Sequence, residues 1–464
     1  MKNKILNNVL NNFKNIYFIG IGGSGMIGLV QILKQLNLNI SGSDINESDP
    51  LNLAKSLGVD ITLNQTSQNI QNKNPDLIIY TSAILENNAE LIQAKQSQKP
   101  IMERSELLGK ITKCFSNCIC VSGTHGKTTT TAMITEILNR CHLNPSAIIG
   151  GNLKSINGYG KIGNKNILIC EACEFNNHFL KLSPTHCVIL NIDRDHMEFF
   201  KTVENLKNSF KQFCNNTKNC IVYYGDDENT TSVIKAANNF NKTCISFGFG
   251  ENNTFKAENL IKLKPTQTQF NVRFQGHKLN QIFELNIPGK HNIINALAAI
   301  SMCHNLGINF NQIADGLKYF KGVKRRFEIV GQVNGITVVD DYAHHPKEIM
   351  ATLKTAKNFG FNKIWAIHQP FTYSRTHMLL NAFAEALKIA DEVILTEILG
   401  SREENITGIK SKHLADKIAG SKVFQTQKEA ADYVLQHAKP GDLVITMGCG
   451  DIYKCARIIV FGKY

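Results

Sequence analysis

Short apolar runs alternate with stretches of helical periodicity along the whole chain. Tyr17-Phe18-Ile19-Gly20, Cys118-Ile119-Cys120-Val121, Ile167-Leu168-Ile169-Cys170, Val188-Ile189-Leu190-Asn191-Ile192 and Ile336-Thr337-Val338-Val339 read as strands. After the second of these, Met133, Ile134, Ile137 and Leu138 fall on one face of a helix. This alternation predicts an α/β protein built on parallel sheets rather than sandwiches or bundles. The strand starts at Tyr17, Cys118 and Ile336 mark three expected domains, 1–112, 113–322 and 323–464, the first and third Rossmann-like and the middle one of phosphate-loop ATPase type. Shorter runs at Phe270–Phe274 and Ile282–Leu285 predict a small β-rich subregion over 251–287, appended to the middle domain. Asn-rich stretches, Asn7–Asn15 and Gln65–Asn74, read as solvated surface. The nearly uncharged run Ile16–Leu33 is long enough for a membrane anchor, but five glycines interrupt it; a strand, a tight turn and a helix explain it better.

Composition narrows this picture. A chain of 464 residues exceeds a single core, and 43% hydrophobic with 19% charged residues excludes collagen-like, coiled-coil and wholly disordered classes. Thirteen cysteines without repeated spacing argue for reduced thiols and a cytoplasmic protein, and Cys170-x-x-Cys173 reads as a strand end. The formal charge of +13 invites a polyanionic partner. Its distribution is uneven: +1 in 1–112, +8 in 113–322 and +4 in 323–464. No basic run reaches five residues, so the surplus points to anionic small molecules, with no nucleic acid and no membrane insertion.

Gly20-x-Gly22-x-x-Gly25 follows a strand and opens a helix, with Asp44 at the end of the next strand. Glycines admit a diphosphate to the backbone, the helix N-terminus supplies N–H donors, and Asp44 can accept from a ribose or base. On the residues alone, NAD(P) or FAD, another nucleotide and a plain tight turn all remain open.

The stronger signal is Ser122-Gly123-Thr124-His125-Gly126-Lys127-Thr128, again strand, loop, helix. Backbone N–H groups around Gly126 can wrap phosphate oxygens, Lys127 can reach the β/γ-phosphates, and the Thr128 hydroxyl can ligate Mg²⁺. The spacing departs from the Walker pattern, because Val121 stands where its first glycine belongs. Two later strands end in Glu171 and in Asp193, Asp195 and His196. Ends of parallel strands converge, so Thr128 and Glu171 are expected on one magnesium and His196 on a second, with a turn cap as the alternative for His196.

Taken together, Gly20–Met26, Ser41–Asp44, Thr81–Ile84, Gly123–Thr131, Asp195–Met197, Pro288–Asn292 with Asn295, Lys324–Phe327, Asp340–Pro346, Tyr373–Thr376 and Met447–Asp451 resemble the Mur ligase family, in its alanine-adding branch. The resemblance covers nearly the whole chain. It implies ATP-dependent joining of L-alanine to the carboxylate of UDP-N-acetylmuramate through an acyl phosphate, with Mg²⁺, or Mn²⁺ in its place, in peptidoglycan precursor synthesis. It also implies closure of the domains about Arg326 and about residue 112, keeping water from the acyl phosphate. A monomer or a homodimer fits it.

The resemblance turns the first glycine loop into a UDP site, with Gly22, Gly23, Ser24, Gly25, Met26, Asp44, Ser82 and Arg104 as its residues. It puts ATP on Gly123, Thr124, His125, Gly126, Lys127, Thr128 and Thr129. His291, Asn292 and Asn295 take adenine and ribose, Arg326 the phosphates or the linker, and Asp341 the ribose. It implies catalytic duties for Lys127, Glu171 and His196, and places Tyr342, His344, Arg375 and Thr376 on the muramoyl and amino-acid side. Two departures stand out: Glu171-Ala172-Cys173-Glu174-Phe175-Asn176 replaces the usual acidic stretch, and Pro370-Phe371 replaces Pro-His. A sibling ligase that adds a peptide or another amino acid is the nearest alternative. An NAD-dependent oxidoreductase would leave Lys127 and Glu171 unexplained, and a non-catalytic nucleotide-binding partner would leave Tyr342, His344 and Arg375 without purpose.

Overall fold

The computed structural model describes residues 10, 13–163, 166–237, 241–401 and 403–463, so most of the Asn7–Asn15 stretch lies outside the described residues. Three sheets carry the fold. The first contains β1 (Asn15–Ile19), β2 (Asn39–Ser43), β3 (Asp60–Thr62), β4 (Leu77–Tyr80) and β5 (Ile101–Glu103) in the order β3-β2-β1-β4-β5, all parallel. Strand order reverses at β1, so the glycine loop that follows it opens at the switch point where such sheets hold ligands.

The second sheet has ten strands: β6 (Asn117–Ser122), β7 (Ser146–Leu153), β8 (Gly158–Lys161), β9 (Ile167–Glu171), β10 (His186–Ile189), β11 (Cys220–Tyr224), β12 (Thr243–Gly248), β13 (Phe255–Lys264), β14 (Gln267–Phe274) and β15 (His277–Leu285). Their order is β15-β14-β13-β12-β11-β10-β6-β9-β7-β8. β6 lies between β9 and β10, parallel to both, which brings the ends of all three strands to one edge. The expected β-rich subregion is β13–β15. Cys118–Val121 of β6 are completely buried, as an uninterrupted apolar run in a parallel sheet covered on both faces requires. The following helix, Lys127–Arg140, buries the predicted face and also Thr128–Thr131; Thr135 Oγ1 donates to the Thr131 carbonyl at 2.8 Å.

The third sheet contains β16 (Glu328–Val333), β17 (Ile336–Asp341), β18 (Ile364–His368), β19 (Glu392–Thr396), β20 (Lys422–Phe424) and β21 (Leu443–Met447) in the order β16-β17-β21-β18-β19-β20. Only β16 runs antiparallel to its neighbour. Helix Pro346–Lys357 starts where its sequence says it should. Pro346 takes the first turn, His345 is the buried cap, and the Glu348 carboxylate accepts the N–H groups of His344 and His345 at 3.1 and 3.3 Å.

By contacts the chain forms two compact units, one of Met1–Ile261, Gln269–Asn286 and Asn292–Phe320, the other of Lys262–Thr268, Ile287–His291 and Lys321–Tyr464. The first two sheets therefore share a unit. One cluster of buried side chains takes in Phe18, Ile27 and Leu33 beside Ile148, Tyr159 and Cys170. Buried Gln31, on helix Ser24–Gln35, hooks β8: its Oε1 accepts the N–H groups of Tyr159 and Gly160 at 2.7 and 2.9 Å, and its Nε2 donates to the Asn157 carbonyl at 3.2 Å. A Cβ on Gly160 would come within 2.0 Å of the Gly28 carbonyl oxygen, so this contact needs a glycine. The connection near residue 112 joins two parts of one packed body rather than two independent ones. Among the described residues no helix is long and apolar enough to cross a membrane.

Candidate active site

The glycine loop is braced by its own acid. Gly20 adopts a positive φ of 79°, and the N–H groups of Gly20 and Ile21 both donate to the Ser43 carbonyl, which folds the turn back on β2. The Asp44 carboxylate accepts the Gly22 N–H at 2.8 Å through Oδ2 and those of Ile45 and Asn46 through Oδ1. Asp44 thus shapes the loop rather than projecting away from it. Ser24 opens the helix, with Gly23 as its cap and Met26 buried. Ser82 lies half-buried in the turn after β4, and its neighbour Thr81 sits against Gly20. Arg104, first residue of the helix after β5, lies over the loop: a Cβ on Gly25 would meet its Nε at 3.3 Å. The expected UDP-sugar residues are thereby gathered around one glycine turn.

The phosphate loop is held by the neighbouring strand end. Gly123 and Gly126 take φ of 132° and 87°, conformations that side chains resist. Asn191, just beyond β10, accepts the His125 N–H through Oδ1 at 2.8 Å, donates to the His125 carbonyl at 3.1 Å, and offers its own carbonyl to the Thr124 N–H. Thr124 and Asp193 exchange two further bonds. Asn295 presses its amide oxygen against Gly126, and it donates to Asn292 Oδ1 at 3.1 Å; both amides are buried on helix Lys290–Asn305.

Lys127 Nζ donates to the carbonyls of Gly123 and Thr124 at 2.5 and 3.1 Å and pairs with both Glu174 oxygens at 3.2 and 3.0 Å. Burial pulls the ammonium pKa down, but the Glu174 charge and hydrogen bond outweigh it and the net shift is upward. At neutral pH Lys127 is a cation, as a γ-phosphate clamp must be.

Glu171, at the end of β9, accepts the Gly150 N–H at 2.5 Å. His196 has a positive φ of 54°, heads the short helix Met197–Phe200, and packs its ring 4.8 Å from that of Phe175. Its Nε2 and Nδ1 lie 3.7 and 3.5 Å from the carboxylates of Asp195 and Glu198. The buried Thr128 hydroxyl and the Glu171 carboxylate are hard oxygen donors suited to magnesium, whereas the His196 imidazole is a borderline nitrogen donor that fits magnesium less well.

The remaining expected residues belong to the second unit. His291 ends the Ile287–His291 segment there, against Gly289. β17, β21 and β18 are neighbours, so the loops after Asp341, Met447 and His368 meet at one edge. Asp341 Oδ1 accepts the Ala343 N–H at 2.8 Å, and Oδ2 accepts from Phe327 N–H and the Thr352 hydroxyl. Burial raises its pKa to about 6, opposed by Arg326. The Arg326 guanidinium lies 4.9 Å from the centre of the Tyr342 ring. His344 Nδ1 is 3.1 Å from the Tyr342 carbonyl oxygen and 3.2 Å from Glu348. Arg375 is half-buried on helix Tyr373–Met378 and, with Arg325, opposes the burial that lifts the Cys449 thiol to about 12. Thr376 differs from expectation: it is fully buried and its hydroxyl donates to the Thr372 carbonyl at 2.7 Å, which is a packing role rather than a substrate-facing one. No histidine follows Pro370; His368, before it, is fully buried, kept neutral by burial, and 3.0 Å from the Met447 carbonyl oxygen through Nδ1.

Sequence reasoning missed several supports: Asn191, Glu174 as the partner of Lys127, and Arg325. The last donates to Asp340 at 2.9 Å and to the carbonyls of Gly448 and Gly450 at 2.7 and 3.0 Å. The only available signal was their position beside recognised motifs.

Three family models match the chain: "Mur ligase family, catalytic domain" over residues 15–116, "Mur ligase middle domain" over 121–303, and "Mur ligase, glutamate ligase domain" over 325–450. The chain belongs to the Mur ligase family. Among Mur ligases it is 40% identical to the UDP-N-acetylmuramate–L-alanine ligase of Acetivibrio thermocellus over 460 residues, covering 98% of this chain and 97% of that one. It is 41% identical to the enzyme of the same name from a Clostridium botulinum strain over 454 residues, covering 96% and 97%. The crystal structure of the UDP-N-acetylmuramate–alanine ligase of Thermotoga maritima superposes with a TM-score of 0.83 at 29% identity, over 97% of this chain and 98% of that one. The three-domain α/β architecture is that of a Mur ligase.

Proposed function

We infer that the chain is an ATP-dependent ligase that joins L-alanine to the muramoyl carboxylate of UDP-N-acetylmuramate, releasing ADP and phosphate. The observation that carries this is the edge where β6 ends between β9 and β10: a partly buried lysine cation closes a glycine loop flanked by Glu171 on one side and Asp193–His196 on the other. Near-full-length identity to two alanine ligases supports the choice of substrates.

Lys127 draws the γ-phosphoryl group toward the muramoyl carboxylate; that oxygen attacks phosphorus, ADP leaves, and an acyl phosphate results. The alanine amine then attacks the acyl carbon, loses its proton, and expels phosphate. Thr128 and Glu171 would hold one Mg²⁺ and His196 a second, with Mn²⁺ as a substitute; when bound, these supply charge neutralisation at the phosphate oxygens. Gly123–Thr129 cradle the triphosphate, with Asn292 and Asn295 on the nucleoside side in the same unit. Within the second unit, His291, Arg326 and Asp341 are the residues proposed for the nucleotide, and Tyr342, His344 and Arg375 those proposed for the muramoyl and alanine side. The glycine turn with Ser82 and Arg104 takes the UDP-sugar. Domain limits of 1–112, 113–322 and 323–464 are part of this proposed reading.

Phosphate release measured with ATP, Mg²⁺, UDP-N-acetylmuramate and each amino acid tests this reading. Release is expected with L-alanine and only when all components are present. Release with a peptide or another amino acid, and none with alanine, would move the chain to a sibling activity.

A further inference from the structure

Directly beneath the phosphate loop lies a cluster of thiols that the ligase chemistry does not use. Cys118 and Cys120 are two residues apart on β6 and therefore share a face of the sheet. Cys170 on β9 is the register partner of Cys120. The Sγ atoms of Cys118 and Cys120 are 3.7 Å apart, as are those of Cys120 and Cys170, and all three lie within 4.8 Å of one another. All three side chains are completely buried, and none is in a disulfide.

We propose that Cys118, Cys120 and Cys170 form a three-thiolate site for a soft, monovalent d¹⁰ cation of the Cu(I) class. The spacing carries the argument. A point equidistant from three sulfurs so arranged is about 2.1–2.4 Å from each, which brackets a metal–thiolate bond of about 2.3 Å. The donors need no rearrangement to close on an ion. Thiolate sulfur selects soft metals over magnesium or calcium. The group contains three ligand atoms among the described residues, all sulfur and away from solvent; a zinc site would lack its usual fourth ligand, whereas trigonal coordination suits Cu(I).

The place of the cluster gives the ion a consequence. Two residues separate Cys120 from Gly123, and Cys170 immediately precedes Glu171. A cation bound there would tie the strand that launches the phosphate loop to the strand that carries Glu171. Each thiol gives up its proton to solvent as its metal–sulfur bond forms; because the thiols are sealed off, the ion enters during folding or through local opening, and uptake by the folded protein is slow.

The test uses the full-length protein, reduced and anaerobic, refolded from denaturant with Cu(I) buffered by a chromophoric chelator. Wild type is expected to retain one equivalent of Cu(I) that C120V and C170V lose, while C244S, at an exposed thiol, keeps it. X-ray absorption on the loaded wild type should show three sulfur neighbours and no nitrogen or oxygen. That measurement stands even if a valine variant fails to fold. Equal Cu(I) retention by wild type and a folded C120V, or a copper shell containing nitrogen or oxygen, would overturn the proposal.

Discussion

Lys127→Ala removes more than a proposed phosphate ligand. Glu174, its partner, has a side chain only 1% exposed, and Lys127 itself is 16% exposed. At 3.0 Å the pair attract with about 5.5 kcal/mol at an effective dielectric of about 20, before the opposing cost of taking both charges out of water. Deleting one member leaves that cost uncompensated, and breaking buried pairs in this way costs about 3–5 kcal/mol. The raised Lys127 pKa means that the stabilisation is complete below the ordinary lysine value and is lost only as pH rises through the shifted one, so it is fully present near neutrality.

The variant is therefore expected to lose turnover and also to lower the first thermal transition of the ligand-free protein by about 6–12 °C. Adding Glu174→Gln should restore most of that stability and none of the activity. Glu174→Gln alone leaves Lys127 bonded to the Gly123 and Thr124 carbonyls, so it should destabilise less than Lys127→Ala. Differential scanning fluorimetry on the four proteins closes a double-mutant cycle, with a coupling of about 2 kcal/mol or more expected. A Lys127→Ala protein melting within about 1 °C of wild type, or a double variant as unstable as that single one, would refute the reasoning.

Gln31→Ala strips the acceptor from two buried N–H donors, Tyr159 and Gly160, so it should cost about 2–4 kcal/mol and raise hydrogen exchange at the β7–β8 turn. Glu90 is fully buried, accepting from Tyr17 at 2.7 Å, Asn69 at 2.6 Å and Ser43, and burial raises its pKa. Its contribution is complete below the unfolded carboxyl value and is lost as pH rises through the raised one, so melting temperature measured from pH 4 upward should fall more steeply in wild type than in Glu90→Gln. Thr376→Val should cost about 1 kcal/mol in stability and leave alanine KM unchanged, whereas Arg375→Ala should lower kcat/KM about tenfold or more with little change in melting.

How far the site could be read from the chain depends on which interactions leave a trace in it. The placement of Glu171 at the end of one strand and of His196 soon after another was legible because apolar runs precede them, and the position of β6 between β9 and β10 brings those strand ends to one edge. Asn191 and Glu174 left no such trace, since their bonds to the phosphate loop span 66 and 47 residues and follow no period. The first glycine loop was ambiguous for a related reason. Its glycines answer to the steric needs of any diphosphate, and the acid that would distinguish one nucleotide from another instead accepts the Gly22 N–H.

The basic pair Arg325-Arg326 shows why neighbours in sequence need not share a duty. Arg325 and Phe327 adopt φ of 62° and 50°, so the backbone reverses on either side of Arg326. One guanidinium is turned onto buried Asp340 and the loop after β21, where it fixes the edge of the third sheet. The Arg326 guanidinium lies 4.9 Å from the centre of the Tyr342 ring, which Arg325 also approaches, at 5.0 Å. A count of charges treats the two alike, but the left-handed backbone on either side of Arg326 sets Arg325 apart as the cation that braces the loop after β21.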